Sequence, residues 1–134
     1  MSIVAFSPEW AGAFRDAVNA DPAYRDAGAG WTHAVALVVT PNDPAHDGIA
    51  VEVDLQGGVC LAAASLAASG VSAPFVLSAD AAAWREILEG ADPIMAIVRG
   101  RVTLTRGALG TLMLHARGAK ALVACARAVE TLWP

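Results

Sequence analysis

The stretch IAVEVDLQGGVC, Ile49 to Cys60, limits what this chain can fold into more than any other. Ile49, Val51, Val53 and Leu55 fall on one side of an extended backbone, and Glu52, Asp54 and Gln56 fall on the other. A period of two belongs to a strand with one buried face, not to a helix. Gly57 and Gly58 supply the backbone freedom of a tight hairpin turn, so VCLAAAS is expected to pair back. Upstream, WTHAVALVVT, Trp31 to Thr40, predicts another strand, with Val35, Leu37 and Val39 on its better-buried face. The loop PNDPAHDG joins the two. Three strands with short links predict an antiparallel meander. One face, carrying Glu52, Asp54 and Gln56, is expected to meet water, and the other needs a cover.

Helical signals supply that cover. In SPEWAGAFRDAVN, Ser7 is placed to cap, Pro8 fits the first helical position and Glu9 complements the dipole. Trp10, Phe14 and Val18 recur at spacing four and share a face. Asp21 and Pro22 start a short second helix that Gly28 to Gly30 stop. LAASGVSA is expected to be an irregular link, and PFVLSAD a fourth strand running into a helix capped by Ser78 or Asp80. Trp84, Ile87 and Leu88 form that helix's apolar face, and Gly90 ends it. Asp92 and Pro93 open a further short helix that Gly100 ends, and RVTLT is a fifth strand. Leu109, Leu112, Met113 and Ala116 sit at helical spacing, Gly118 is expected to break that helix, and Leu122, Ala126, Val129 and Trp133 stripe the last one. Strands and helices do not alternate regularly, so the expected class is α+β.

Composition narrows function. The 134 residues suit one domain, residues 1–134, large enough for a real core. Net charge is −4 with scattered basic residues, which argues against nucleic acid and against an anionic membrane surface. Apolar residues make up 56% of the chain and charged ones 16%, against about 25% charged in ordinary globular domains. The surplus suits either a partner surface or an internal apolar cavity. No run is apolar and long enough to span a bilayer. The start MSIVAFSPEW lacks the basic opening of a secretory signal, so the expected compartment is the cytoplasm.

Reactive chemistry is sparse. Cys60 and Cys125 lack a CxxC partner and are expected to be small buried hydrophobes. His33, His46 and His115 have no second ligand at helical spacing, so no metal site is expected. No serine sits in a nucleophile elbow, and GAG at Gly28 to Gly30 precedes a strand rather than the helix a dinucleotide loop needs. No catalytic residue and no cofactor are expected.

The segment FVLSADAAAWREILEGADPIMAIVRGRVTLTRG resembles the second half of sterol carrier protein domains. The resemblance is carried by Trp84, Gly90, Asp92, Pro93, Gly100, Arg101, Val102, Leu104 and Gly107, with the DLQGGVC hairpin at Asp54 to Cys60. The opening, about residues 7–27, is similar to the helical N-terminal extension of stand-alone bacterial members. The resemblance implies a five-stranded, mostly antiparallel sheet covered by helices, with an apolar tunnel between sheet and helices. It implies non-catalytic binding or transfer of a fatty acid, acyl-CoA or sterol-like lipid. The end ETLWP lacks the peroxisomal Ser-Lys-Leu address of some eukaryotic members. Within this frame Trp84, Leu88, Ile94, Met95, Val98, Leu104, Leu109, Leu112 and Met113 are candidates to line the cavity, ordinary core packing being the alternative for each. Arg99 and Arg101, with Arg106 nearby, are candidates to meet an anionic headgroup, or are solubilising surface residues. Two rival functions stay open. One is an interaction module, such as a homodimer using the surplus apolar surface. The other is a cavity enzyme acting on a steroid-like substrate, which needs a carboxylate inside the cavity.

Overall fold

The Ile49–Gln56 alternation becomes a central strand in the computed structural model, which describes residues 2–43 and 45–133. Met1, Pro44 of the PNDPAHDG loop and Pro134 of the chain end lie outside the described residues. The elements run β1 (Ile3–Val4), α1 (Pro8–Ala20), α2 (Pro22–Ala27), β2 (Ala34–Thr40), β3 (Ile49–Gln56) and β4 (Val59–Ala67). They continue through β5 (Phe75–Asp80), α3 (Ala81–Leu88), α4 (Pro93–Val98), β6 (Thr103–Arg106), α5 (Leu109–Leu114), α6 (Ala116–Arg127) and β7 (Thr131–Leu132). The fold is α+β, with an open five-stranded sheet of order β4-β3-β2-β5-β6.

All neighbours in that sheet are antiparallel except β2 and β5, which run parallel with Val35 opposite Phe75 and Thr40 opposite Asp80. The chain therefore leaves the β4 edge and crosses to the far side of β2 before it re-enters the sheet. The 3-10 turn Ala68–Gly70 lies on this crossover, where an irregular link was expected. Glu52 fixes the end of it: its carboxylate accepts from the Ser72 and Ala73 N–H groups at 3.0 and 3.1 Å. The polar face of β3 thus holds backbone as well as meeting water. The second face of the sheet is buried too, by Ala36, Val38, Ala50, Ala73 and Val76. That is why β2 alternates poorly: Val35 and Val38 are both enclosed, on opposite sides.

Local signals place most of the helices. Ser7 Oγ accepts from Trp10 N–H, Asp80 from Ala83 N–H, and Asp92 from Ile94 N–H, so Asp80 rather than Ser78 caps α3. Gly57 and Gly58 take φ of 61° and 91° in the hairpin turn. Close by, the register shifts: Asp54 faces Ala62 while Leu55 faces Cys60, leaving Leu61 as the bulged, exposed residue. The edge of β4 is covered by the end of α1, where the Asn19 side-chain amide donates to Cys60 O at 2.9 Å and accepts from Cys60 N–H at 2.8 Å.

Two expectations are corrected. The C-terminal helices part at His115, not at Gly118. Gly118 lies inside α6 because a side chain there would press on the Ala27 carbonyl, 3.1 Å from where its Cβ would stand; the glycine serves close packing on α2. The last stripe also stops being helical before Val129. Thr131–Leu132 form β7, which pairs in parallel with Ile3–Val4, and Trp10 Nε1 donates to Thr131 Oγ1 at 2.9 Å. Two-residue strands carry too little pattern to be seen in sequence.

Candidate functional site

The covered face of the sheet does not meet the helices in solid contact. Between them is a cavity of about 80 Å³. Its floor is Val35 and Leu37 of β2, Leu55 of β3 and Leu77 of β5. Its walls come from α1 (Trp10, Phe14), α3 (Trp84, Ile87, Leu88), α4 (Pro93, Ile94, Ile97) and α6 (Ala119, Leu122, Val123, Ala126). No Asp, Glu, Lys or Arg stands on this wall among the described residues.

The wall's few polar atoms divide into two groups. Its three indole N–H groups have protein acceptors: Trp10 has Thr131, Trp31 has the His33 carbonyl at 2.8 Å, and Trp84 has the Val38 carbonyl at 2.8 Å. The Tyr24 hydroxyl and the His115 imidazole make no hydrogen bond among the described residues. Both adjoin the Gly28–Gly30 turn. The Tyr24 ring lies so close over Gly28 that a Cβ there would stand 2.6 Å from Cζ, and His115 Cε1 is 3.5 Å from the corresponding point at Gly30. Burial pushes the Tyr24 phenol up to about 12, with smaller contributions from the neighbouring Cys60 and Cys125 thiols.

Of the residues singled out from sequence, Trp84, Leu88, Ile94 and Leu112 meet on the cavity wall. Met95, Val98 and Leu109 face solvent, Val98 with 66% of its surface exposed. Leu104 and Met113 are half-buried off the wall. Helical rotation explains α4: Ile94 and Ile97, three apart, turn inward, while Met95 and Val98, also three apart, turn outward. Arg101 pairs with Glu86 at 2.9 Å, and Arg99 is exposed with no ion-pair partner among the described residues.

Sequence reasoning overlooked the contribution of the N-terminal third. Phe6, Trp10, Phe14, Tyr24 and Trp31 all reach the cavity. Phe6 stacks on Trp10 at 4.9 Å and approaches Trp84 at 6.0 Å. It holds a left-handed backbone, φ 59°, with its carbonyl accepting from Ser65 Oγ at 2.6 Å. An apolar residue immediately before a helix cap is the one signal that points to it.

The two cysteines are free and buried. Burial raises the Cys60 thiol to about 11 and the Cys125 thiol to about 12, the latter also through its hydrogen bond to Asp21. Neither is poised as a thiolate. Among the described residues no group of three His, Cys, Asp or Glu side chains is placed to hold a metal ion.

Comparisons with solved structures give close matches. A crystal structure of sterol carrier protein 2 superposes with a TM-score of 0.88 at 38% identity, covering 93% of this chain and 98% of the other. A solution structure of a conserved hypothetical protein from Thermus thermophilus, described as possibly a sterol carrier protein, matches with a TM-score of 0.87 at 36% identity, covering 98% and 94%. Sterol carrier protein 2 from Yarrowia lipolytica shares the fold at 12% identity, with a TM-score of 0.56 over 87% of this chain and 88% of the other. No protein-family model and no curated protein matches the sequence.

Proposed function

This chain belongs to the sterol carrier protein 2 family, and from that premise we propose that it binds a lipid non-covalently in the cavity between sheet and helices and carries it without chemical change. The observation behind this reading is the cavity wall, built from three strands and from helices in every region of the chain yet bearing no charged side chain among the described residues. Such a surface gains about 25 cal/mol for each Å² of apolar ligand it takes from water, which amounts to roughly 8 kcal/mol gross for a ten-carbon chain. Charge pairing is not required for micromolar binding.

At about 80 Å³ the cavity is smaller than the roughly 300–1,000 Å³ of common ligand sites. A long chain enters only if a wall yields. Helix α4 is suited to that, because none of its six residues is fully buried and its two ends are held by a side-chain cap and a glycine turn. The absence of a carboxylate from the described wall leaves the steroid-enzyme alternative without its general base. Among the described residues no helix is long and apolar enough to cross a membrane, and the proposed place of action is the cytoplasm.

The test is native mass spectrometry of the purified full chain, followed by solvent extraction and titration with lipids of eight to sixteen carbons. Retained or added lipid at one equivalent is the expected result. If no long-chain compound binds at tens of micromolar, the carrier reading is wrong.

A further inference from the structure

The lipid-binding reading leaves two polar groups on the wall without a task, Tyr24 and His115, and Tyr24 is the more enclosed. Tyr24 keeps only 2% of its surface exposed. No fully enclosed side-chain nitrogen or oxygen among the described residues lacks a partner. The sliver of surface left to Tyr24 therefore includes its hydroxyl, and Tyr24 borders the cavity. The three indoles of the same wall give their N–H groups to protein acceptors, and Tyr24 does not. A hydroxyl with so little access to water and no protein partner is poorly satisfied, so its natural partner is an atom that enters the cavity.

We propose that the Tyr24 hydroxyl is the polar anchor of the cavity and selects a neutral lipid bearing a hydroxyl or carbonyl oxygen over a carboxylate of the same length. This rests on the carrier reading and adds to it which atom reads the ligand. The phenol keeps its proton throughout the neutral range, so it stays available as a donor to a carbonyl or alcohol oxygen. A carboxylate brought to the same point finds no Lys or Arg on the described wall, and burying an anion without a cation beside it is unfavourable. The candidate cations do not offset this: Arg101 is engaged with Glu86 and Arg99 is on the surface. Gly28 is part of the device. Its missing side chain lets the Tyr24 ring lie against the turn, with Oη 2.9 Å from where a Cβ would stand. The His115 imidazole, half-buried at the same turn, is the second group near the anchor able to accept or donate.

The test compares the full chain with Tyr24→Phe, using four ten-carbon probes: n-decane, 1-decanol, 2-decanone and decanoate. Because the hydroxyl bonds to no described protein group, the variant is expected to fold with an unchanged or slightly raised Tm. The wild type should bind 1-decanol and 2-decanone more tightly than n-decane or decanoate. Tyr24→Phe should weaken the alcohol and the ketone about 3- to 10-fold, the span of one net hydrogen bond, and leave n-decane unchanged. The infrared C=O stretch of bound 2-decanone, labelled with carbon-13, should sit at lower wavenumber in the wild type than in the variant. Equal affinities in both proteins with an unmoved C=O band overturn the anchor while leaving the carrier reading intact. Tighter binding of decanoate than of the ketone also overturns it. If none of the four probes binds, n-decane included, both readings fall together.

Discussion

Cys60, Cys125 and Tyr24 show how burial converts ordinary side chains into pH-dependent stability. Both thiols act on the Tyr24 phenol, and all three groups are nearly enclosed. Their folded pKa values, about 11 for Cys60 and about 12 for Cys125 and Tyr24, lie above those of the unfolded chain. Above about pH 9 the unfolded chain releases thiol protons that the folded chain retains. Stability is therefore full below about pH 9 and declines as pH rises toward about 11 to 12. Urea midpoints at pH 7.5, 9 and 10.5 should fall across the upper interval. The double variant Cys60→Ala, Cys125→Ala should show a shallower fall; an identical slope would remove the thiols from the explanation. The apolar character of both cysteines was legible from their isolation in sequence, whereas the anchoring role proposed for Tyr24 was not. A lone tyrosine in a short helix carries no pattern, and only the tertiary structure brings its ring against Gly28 at the border of the cavity.

At the scale of the element, α4 is the informative case. Asp92 accepts from the Ile94 and Met95 N–H groups at 2.8 and 3.4 Å and lies 3.7 Å from Lys120. These bonds, the one from Ile94 first, hold its carboxyl below the usual range. The helix start is thus secured at neutral pH and loosened as acid protonates the cap. Asp92→Ala should speed amide exchange of residues 94–98 several-fold while the slowest-exchanging amides of β2 and β3 stay unchanged. Ligand binding should slow exchange in the same segment of the wild type. Uniform change across the whole chain would mean that α4 does not move as a separate unit. The cap, the proline and the closing glycine were all visible in sequence. Which face of α4 turns inward was not, because Ile94, Met95, Ile97 and Val98 are apolar all round and a six-residue helix gives too few turns to break the tie.

For the whole molecule the decisive contacts join distant parts of the chain. Ile3–Val4 pair with Thr131–Leu132, and Trp10 reaches Thr131 across 121 positions. This closure puts β1 and β7 beside the aromatic group of Phe6, Trp10 and Trp133, next to the cavity. Thr131→Val keeps the shape and removes the indole's acceptor. It should lower stability by about 1–2 kcal/mol, read as a lower urea midpoint at unchanged m-value. It should also blue-shift the Trp10 emission, which then has no hydroxyl beside it. A variant as stable as the wild type would show the closure to be incidental.

The sequence by itself determined the α+β class, the hairpin at Gly57-Gly58, the caps at Ser7 and Asp92, and an apolar surplus too large for a minimal core. Those are local properties, written in periods of two and 3.6 and in residues with restricted backbones. Only the tertiary structure decided that β5 lies parallel to β2, that Glu52 holds the crossover, that α5 and α6 part at His115, and that the N-terminal third supplies much of the cavity wall. Each of these depends on which surfaces meet after the chain has turned several times. Apolar side chains state that they avoid water without stating against which partner.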